Sequence, residues 1–138
     1  METFLVKERI FMGFWIFMLI MDLLIPLTLI GFGRYFYENG PRQINGVFGY
    51  RTAMSMKNQD TWIFAHKYSG NLWFISGLVL LPLTVIAMLC VIGKTDNTIG
   101  IIGLIICCIQ MIPLIGAVFF TEKALRKSFD ENGIRRNA

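Results

Sequence analysis

The sequence predicts an all-α integral membrane protein, a single domain built as a bundle of three transmembrane helices. Of its 138 residues, 55% are hydrophobic and only 16% are charged, whereas charged residues make up about 25% of an ordinary soluble domain. The apolar residues also form three runs, each close to the roughly 20 residues that cross ~30 Å of hydrocarbon as a helix. We therefore predict helices at about 10–32, 57–92 and 98–120.

The first predicted helix, about 10–32, is interrupted by Asp22 and Pro26. A carboxylate in the middle of a bilayer costs roughly 3 kcal/mol on insertion scales, so such a residue usually faces the interior of the bundle. Two interpretations of Asp22 stay open. It belongs to a polar track or an ion pair, or it is a protonated carboxyl group hydrogen-bonded to a neighbouring helix.

A polar connection over residues 34–68 leads into the second helix. Either Ser55 or Asn58 can cap that helix, because both side chains accept hydrogen bonds from the free N–H groups of a first turn. A helix over 57–92 is about 54 Å long, which exceeds the bilayer core. Its first three turns are therefore expected outside the hydrocarbon.

One face of these first turns collects aromatic and polar side chains at helical spacing. Two interpretations stay open here as well: the face is a groove that receives a partner, or it is the surface onto which the connection packs. Both hold together if the packed connection is itself the surface offered to a partner. The face consists of Trp62, Ala65, His66, Ser69 and Trp73.

Arg51 is expected to fasten the connection to the start of helix 2. Its guanidinium is always charged and holds carboxylates or carbonyl oxygens in a fixed fork. Asp60, in the first turn of the helix, is the expected partner.

The third predicted helix carries small residues and is followed by a basic tail at 121–138. Gly103 and Cys107 lie four residues apart, a spacing that permits close approach of another helix. Self-association into a homo-oligomer through helix 3 therefore stays open. Cys90, Cys107 and Cys108 have no histidine or carboxylate nearby in the sequence, so we interpret them as packing residues and predict no metal site.

The charges predict the orientation of the chain. Thirteen basic and nine acidic side chains give a net charge of +4, and almost all of them lie outside the apolar runs, which indicates contact with the lipid bilayer and no direct nucleic-acid partner. The N-terminus and the 93–98 turn hold Lys7, Arg9 and Lys94, whereas the connection and tail hold the other ten basic residues. The positive-inside rule then predicts an outer N-terminus and a cytoplasmic connection and C-terminus.

The residues argue against an enzyme. Catalysis needs a nucleophile beside a base, paired carboxylates or a liganded metal, and the chain has one histidine and one aspartate within its apolar runs. We predict no catalytic residues and no cofactor. A binding protein is the first hypothesis, and the alternative is a small transporter or channel component that uses Asp22 and helices kinked at Pro26, Pro82 and Pro113.

A polar motif within the connection and early helix 2 resembles the signature of the SdpI-like family of bacterial membrane proteins. That signature is an asparagine, Gly-x-Arg-Thr, a serine or threonine and an asparagine ahead of a tryptophan, then a histidine or asparagine before the next span. The motif residues here are Asn45, Gly49, Arg51, Thr52, Ser55, Asn58, Trp62, His66 and Lys67.

The resemblance implies a role in immunity at the bacterial plasma membrane. The protein that gives this family its name protects its producer from a secreted peptide toxin and acts as a receptor that sequesters a small transcriptional repressor. The resemblance therefore implies a peptide toxin and a small transcriptional repressor as partners. It does not say which of the motif residues contact either one.

Overall fold

The computed structural model describes residues 1–137, so Ala138, the last residue of the predicted tail, lies outside it. Three helices account for most of this range: α1 at Glu2–Glu38, α2 at Gln59–Cys90 and α3 at Asp96–Ser128. Each is long and apolar enough to cross a membrane. Within the described range the only bridge between extended residues pairs Phe129 with Arg135, and the predicted all-α bundle of three membrane helices is confirmed.

Helix α1 extends beyond its apolar run at both ends. Its 37 residues correspond to about 55 Å, so the predicted span at 10–32 describes only the part that fits within the hydrocarbon. The last turn is supported by an ion pair in which Arg34 Nε lies 3.2 Å from Glu38 Oε1. Charged residues next to an apolar run do not end a helix, because their side chains reach water from the helix surface.

Helix α2 begins at a capping box. The Asn58 side chain accepts from Thr61 N at 3.0 Å, and the Thr61 hydroxyl accepts from Asn58 N at 3.1 Å. Asn58, rather than Ser55, is therefore the N-cap. The 32 residues of α2 span about 48 Å, so the turns before Gly70 project beyond the apolar part of the helix.

Helices α1 and α2 approach each other closely enough for backbone contact. A Cβ atom added to Gly33 would lie 2.5 Å from Phe74 N and 2.7 Å from the Gly70 carbonyl oxygen. Glycine is therefore required at this crossing. Gly103 of α3 faces Met18 and Asp22 of α1, so the small residue noted in helix 3 is used inside the bundle, and self-association stays a prediction.

The buried apolar residues form two clusters, one at each end of the bundle. Trp15, Met88 and Ile99 belong to the cluster next to the 91–95 turn, where Trp15 Nε1 also donates to the Met88 carbonyl oxygen at 2.7 Å. The other cluster joins the connection, α2 and the end of α3 through Tyr50, Met54, Ala65, Leu125 and Phe129. This second cluster lies beneath the motif.

Candidate functional site

Both ends of the predicted 34–68 connection are helical, so the connection proper is residues 39–58. It folds onto the first three turns of α2, and we call this packed unit the motif cap. Asn45 shapes its outer turn, since its Oδ1 accepts from Val47 N at 3.0 Å and from Phe48 N at 2.8 Å. Arg51 closes the same turn by donating to the Gly46 carbonyl oxygen. The prediction that Arg51 pairs with Asp60 is wrong, because the guanidinium is used inside the connection and is otherwise exposed.

Gly49 and His66 form the closest contact between the connection and α2. Gly49 has a φ of +115°, and a Cβ atom there would lie 2.5 Å from His66 Nε2 and 3.0 Å from Pro41 Cγ. The next residue, Tyr50, donates its backbone N–H to His66 Nε2 at 2.9 Å. Position 49 therefore requires glycine for two reasons: its backbone lies against the imidazole, and its φ is positive.

The hydrogen bonds of His66 define its protonation state. Its Nε2 accepts from a backbone N–H, and its Nδ1 lies 2.7 Å from the carbonyl oxygen of Trp62, which can only accept. The imidazole is therefore neutral, with its hydrogen on Nδ1. Burial lowers the pKa of His66, which favours the same neutral form; the residue lies outside the apolar part of α2.

Trp62 forms the floor of the motif cap. It is fully buried, and its Nε1 donates to the Pro41 carbonyl oxygen at 2.6 Å. Its ring lies against the His66 imidazole with centroids 4.3 Å apart. The connection thus covers Trp62 and His66 of the predicted face, whereas Trp73 lies against Phe36 of α1, with ring centroids 5.7 Å apart. The geometry therefore supports the interpretation of this face as a packing surface.

Thr52 and Ser55 hold the second half of the connection. Ser55 Oγ accepts from Thr52 N at 2.9 Å, and Thr52 Oγ1 accepts from Ser55 N at 3.1 Å. Ser55 Oγ also lies 3.0 Å from the Tyr50 carbonyl oxygen, while the Ser55 carbonyl accepts from the Thr61 hydroxyl. These bonds lock the connection to the capping box of α2.

The tail closes the motif cap from the other side. Asn58 Nδ2 donates to the Gly133 carbonyl oxygen at 2.6 Å, and Gly133, with a φ of +79°, packs against the same side chain. Phe129 is fully buried and lies edge-on to Phe64 of α2, with centroids 5.4 Å apart. Asn58 therefore both caps α2 and anchors the tail.

Tyr50 connects the motif cap to α3. Its hydroxyl lies 3.1 Å from Glu122 Oε1 and 3.2 Å from the Val118 carbonyl oxygen. Burial, reinforced by the Glu122 carboxylate, raises the pKa of the Tyr50 hydroxyl, which therefore stays protonated and donates. Lys67, by contrast, is exposed and takes no part in these contacts.

A second polar cluster lies in the middle of the bundle and joins all three helices. Gln110 Nε2 donates to the Thr84 hydroxyl at 2.8 Å and to the Asp22 carbonyl oxygen at 2.9 Å. Because Pro26 has no N–H, the carbonyl of Asp22 lacks its usual helical partner, and Gln110 replaces it. Cys107 Sγ lies 3.1 Å from Asp22 Oδ1.

This polar cluster corrects the interpretation of the cysteines and extends that of Asp22. Cys107 does have a carboxylate partner, which comes from a residue far away in the sequence. Asp22 is fully buried and accepts a hydrogen bond from Cys107 of α3, while its protonation stays a prediction. The sequence analysis did not identify Gln110 or Thr84. A glutamine within an apolar run does indicate a side chain that faces the interior of the bundle, so Gln110 could have been found from the sequence.

Two comparisons with known proteins found matches. The model of the SdpI/YfhL protein family matches residues 42–121, a range that includes all nine motif residues and more than half of the chain. The chain is also 50% identical over 40 residues to the uncharacterized protein YfhL of Bacillus subtilis (strain 168), a match that covers 29% of this chain and 36% of that relative. No solved structure matches the chain. The protein is thus a multi-pass membrane protein that belongs to the SdpI/YfhL family.

Proposed function

We propose that this protein is a non-enzymatic immunity or sensor protein of the bacterial plasma membrane, which gives resistance to a peptide toxin or senses it through the motif cap. Family membership supports the class of protein. The convergence of eight of the nine motif residues on one packed unit supports the location. In this proposal the motif builds the surface, and its neighbours in the connection contact the peptide.

The observation that carries this proposal is the exposed apolar tip of the connection. Val47 is 87% exposed and Phe48 is 42% exposed, although both belong to a turn fixed by Asn45 and Arg51. Apolar side chains held in one conformation outside a core are typical of binding surfaces, because little conformational entropy is lost when they are covered.

An apolar hollow beside this tip suits a membrane-inserted peptide. It has a volume of about 460 Å³ and lies between Phe48 and the α1 residues Thr28, Gly31, Phe32 and Tyr35. Thr28 and Gly31 belong to the membrane-spanning part of α1, so a peptide within the bilayer reaches the hollow without leaving the hydrocarbon. A large apolar side chain of the peptide would fill the hollow.

The distribution of basic residues supports a cytoplasmic position for the motif cap and the tail, with the N-terminus outside. On that side of the membrane a small transcriptional repressor has access to the same surface. If the toxin and the repressor compete for the apolar tip, toxin binding is linked to gene regulation. Competition would make each partner weaken the binding of the other by the same factor.

The test is protection of sensitive Gram-positive cells from a secreted antibacterial peptide encoded beside the gene. The native chain should protect, and Val47→Asp with Phe48→Ser should lower survival roughly tenfold, the effect of losing about 1.4 kcal/mol of binding. Ile134→Ser is the matched control, because this apolar residue is 63% exposed on the tail at the same end of the bundle. Equal protection by the tip variant and the native chain, at equal protein level in the membrane, contradicts the proposed surface.

A second candidate function, a small transporter or channel component, is favoured by one observation in the polar cluster. Asp22 Oδ2 and Gln110 Oε1 are both buried without a hydrogen-bond partner among the described residues, and oxygen atoms of this kind are able to hold a proton or a cation. Asp22→Asn distinguishes the two candidates. A structural Asp22 tolerates the amide with unchanged protection, whereas loss of proton-dependent flux with expression intact would establish transport.

A further inference from the structure

A basic groove lies where the tail meets the N-terminal part of α2 and the C-terminal end of α3. The tail turns back at Gly133, so that Arg135 pairs with Phe129 and both tail arginines return to the C-terminal turns of α3. The groove has a volume of about 750 Å³, and it is lined by Tyr68, Phe120, Lys123, Lys127, Arg135 and Arg136, among other residues.

The groove carries four positive charges and has no carboxylate among its described lining residues. Lys123 and Lys127 lie four residues apart on one face of α3, both are exposed, and neither forms an ion pair within residues 1–137. Arg136 Nε donates to the Phe129 carbonyl oxygen at 3.0 Å, and the Arg135 guanidinium lies 5.3 Å from the centre of the Phe129 ring. The arginines are thus held in place by the tail.

The side chains of Glu122 and Asp130 are engaged elsewhere. Glu122 is bonded to the Tyr50 hydroxyl. Asp130 Oδ1 accepts from the backbone N–H groups of Asn132 and Ile134. Asp60 does not line this groove, but it lines a neighbouring cavity that shares Arg135 with it. The positive charges of Lys123, Lys127 and Arg136 are therefore the ones available to a ligand from outside the chain.

One wall of the groove is apolar and meets the hydrocarbon. Phe120, at the end of the apolar run of α3, is 60% exposed, and the face of α3 that precedes it presents Ile112 and Phe119 to the lipid. A ligand that fits both walls has a negatively charged end and an apolar end. A soluble anion satisfies only the basic residues.

We propose that the basic groove binds the phosphate headgroup of an anionic membrane lipid, with Lys123, Lys127, Arg135 and Arg136 around the phosphate and an acyl chain against Phe120. Basic pockets between membrane helices are suited to such headgroups, because the negative leaflet supplies the ligand at high local concentration. The groove shares no lining residue with the apolar hollow proposed for the peptide.

In the test, phosphatidylglycerol and phosphatidylcholine are added in equal amounts to the whole chain in detergent. Native mass spectrometry then measures which of the two lipids stays bound. The native chain should retain phosphatidylglycerol. Lys123→Gln with Lys127→Gln should lower that preference roughly 25-fold, since each basic residue near a lipid surface is worth about fivefold. Lys123→Arg with Lys127→Arg should keep it. Both lysines are exposed, and their replacement leaves the buried Phe129 contacts intact.

The matched control removes the same charge at the opposite end of the bundle, by Lys7→Gln with Arg9→Gln. Retained phosphatidylglycerol in the control and its loss in the groove variant support the proposal. Equal losses in both variants would mean that total charge, and not this groove, selects the lipid. Unchanged retention in the groove variant overturns the site, and release of the lipid by millimolar inorganic phosphate or by a soluble acidic peptide would assign the groove to that ligand instead.

Discussion

Replacing Gly49 with alanine tests whether the contact between the connection and His66 holds the motif cap together. The new Cβ atom would lie 2.5 Å from His66 Nε2 and 3.0 Å from Pro41 Cγ, at a φ of +115° that only glycine adopts freely. Neither neighbour has room to move, because His66 is bonded at both ring nitrogens. Either the backbone strain is retained or the Tyr50–His66 hydrogen bond breaks.

The two outcomes have similar magnitudes. An alanine held in an unfavourable backbone region costs about 1–3 kcal/mol. Breaking the hydrogen bond between Tyr50 N and His66 Nε2 leaves two buried groups unpaired, which costs about 1–3 kcal/mol. We therefore expect Gly49→Ala to destabilise the motif cap by about 1–3 kcal/mol, while the membrane-spanning parts of the helices stay paired.

The assay is limited proteolysis of the detergent-solubilised protein, because local opening exposes residues 39–58 to a protease before the helices separate. When opening is faster than cleavage, a destabilisation of about 1–3 kcal/mol raises the cleavage rate roughly 5- to 150-fold. Gly46→Ala is the matched control, since this glycine lies in the same connection and has nothing within 4 Å of an added Cβ. Equal cleavage of the Gly49→Ala and Gly46→Ala variants would refute the role of the glycine and histidine contact.

Three further predictions concern other parts of the chain. Gln110→Leu should lower the stability of the bundle in a denaturant titration by about 1–2 kcal/mol, because it leaves the Asp22 carbonyl unpaired beside Pro26. The control is the lipid-facing change Ile109→Leu, which should have no effect. The folded cap holds His66 neutral and lowers its pKa, so His66 takes up a proton more readily when the cap opens. Protease resistance at residues 39–58 should therefore be full above about pH 6.5 and fall below that pH. The variant His66→Gln should remove this pH dependence. In a chain without native cysteines, single cysteines at positions 2 and 96 should react with an impermeant reagent from outside intact cells, whereas positions 57 and 134 should not, and the reverse pattern would invert the orientation.

The helices were predictable because hydrophobic length alone decides them. The runs around 10–32, 70–92 and 98–120 each exceed what the bilayer needs, and the single proline within each of them does not end the helix. The ends of the helices were less predictable. Glu2 and Glu38 show that α1 continues through charged residues on both sides, which composition cannot distinguish from a polar loop.

Some contacts of the motif cap were also predictable from the sequence, and others were not. The sequence offered Asn58 as a cap and the Trp62 and His66 face as a packing surface, since local spacing determines both. It did not offer the partner of Arg51, because the turn that brings Gly46 within reach depends on Asn45 bonding to its own neighbours. The pairing of Cys107 with Asp22 joins residues 85 positions apart, a distance over which spacing carries no information.

The contacts that join the three helices differ in kind. Helices α1 and α2 are joined by backbone contact at Gly33 and Gly70. Helix α3 is joined to them by apolar packing at both ends of the bundle and by the hydrogen bonds of Gln110, and it is joined to the connection by the Tyr50 hydroxyl. Opening of the connection would therefore remove the contact between Tyr50 and Glu122 at the end of α3 and leave the crossing of α1 with α2 unchanged.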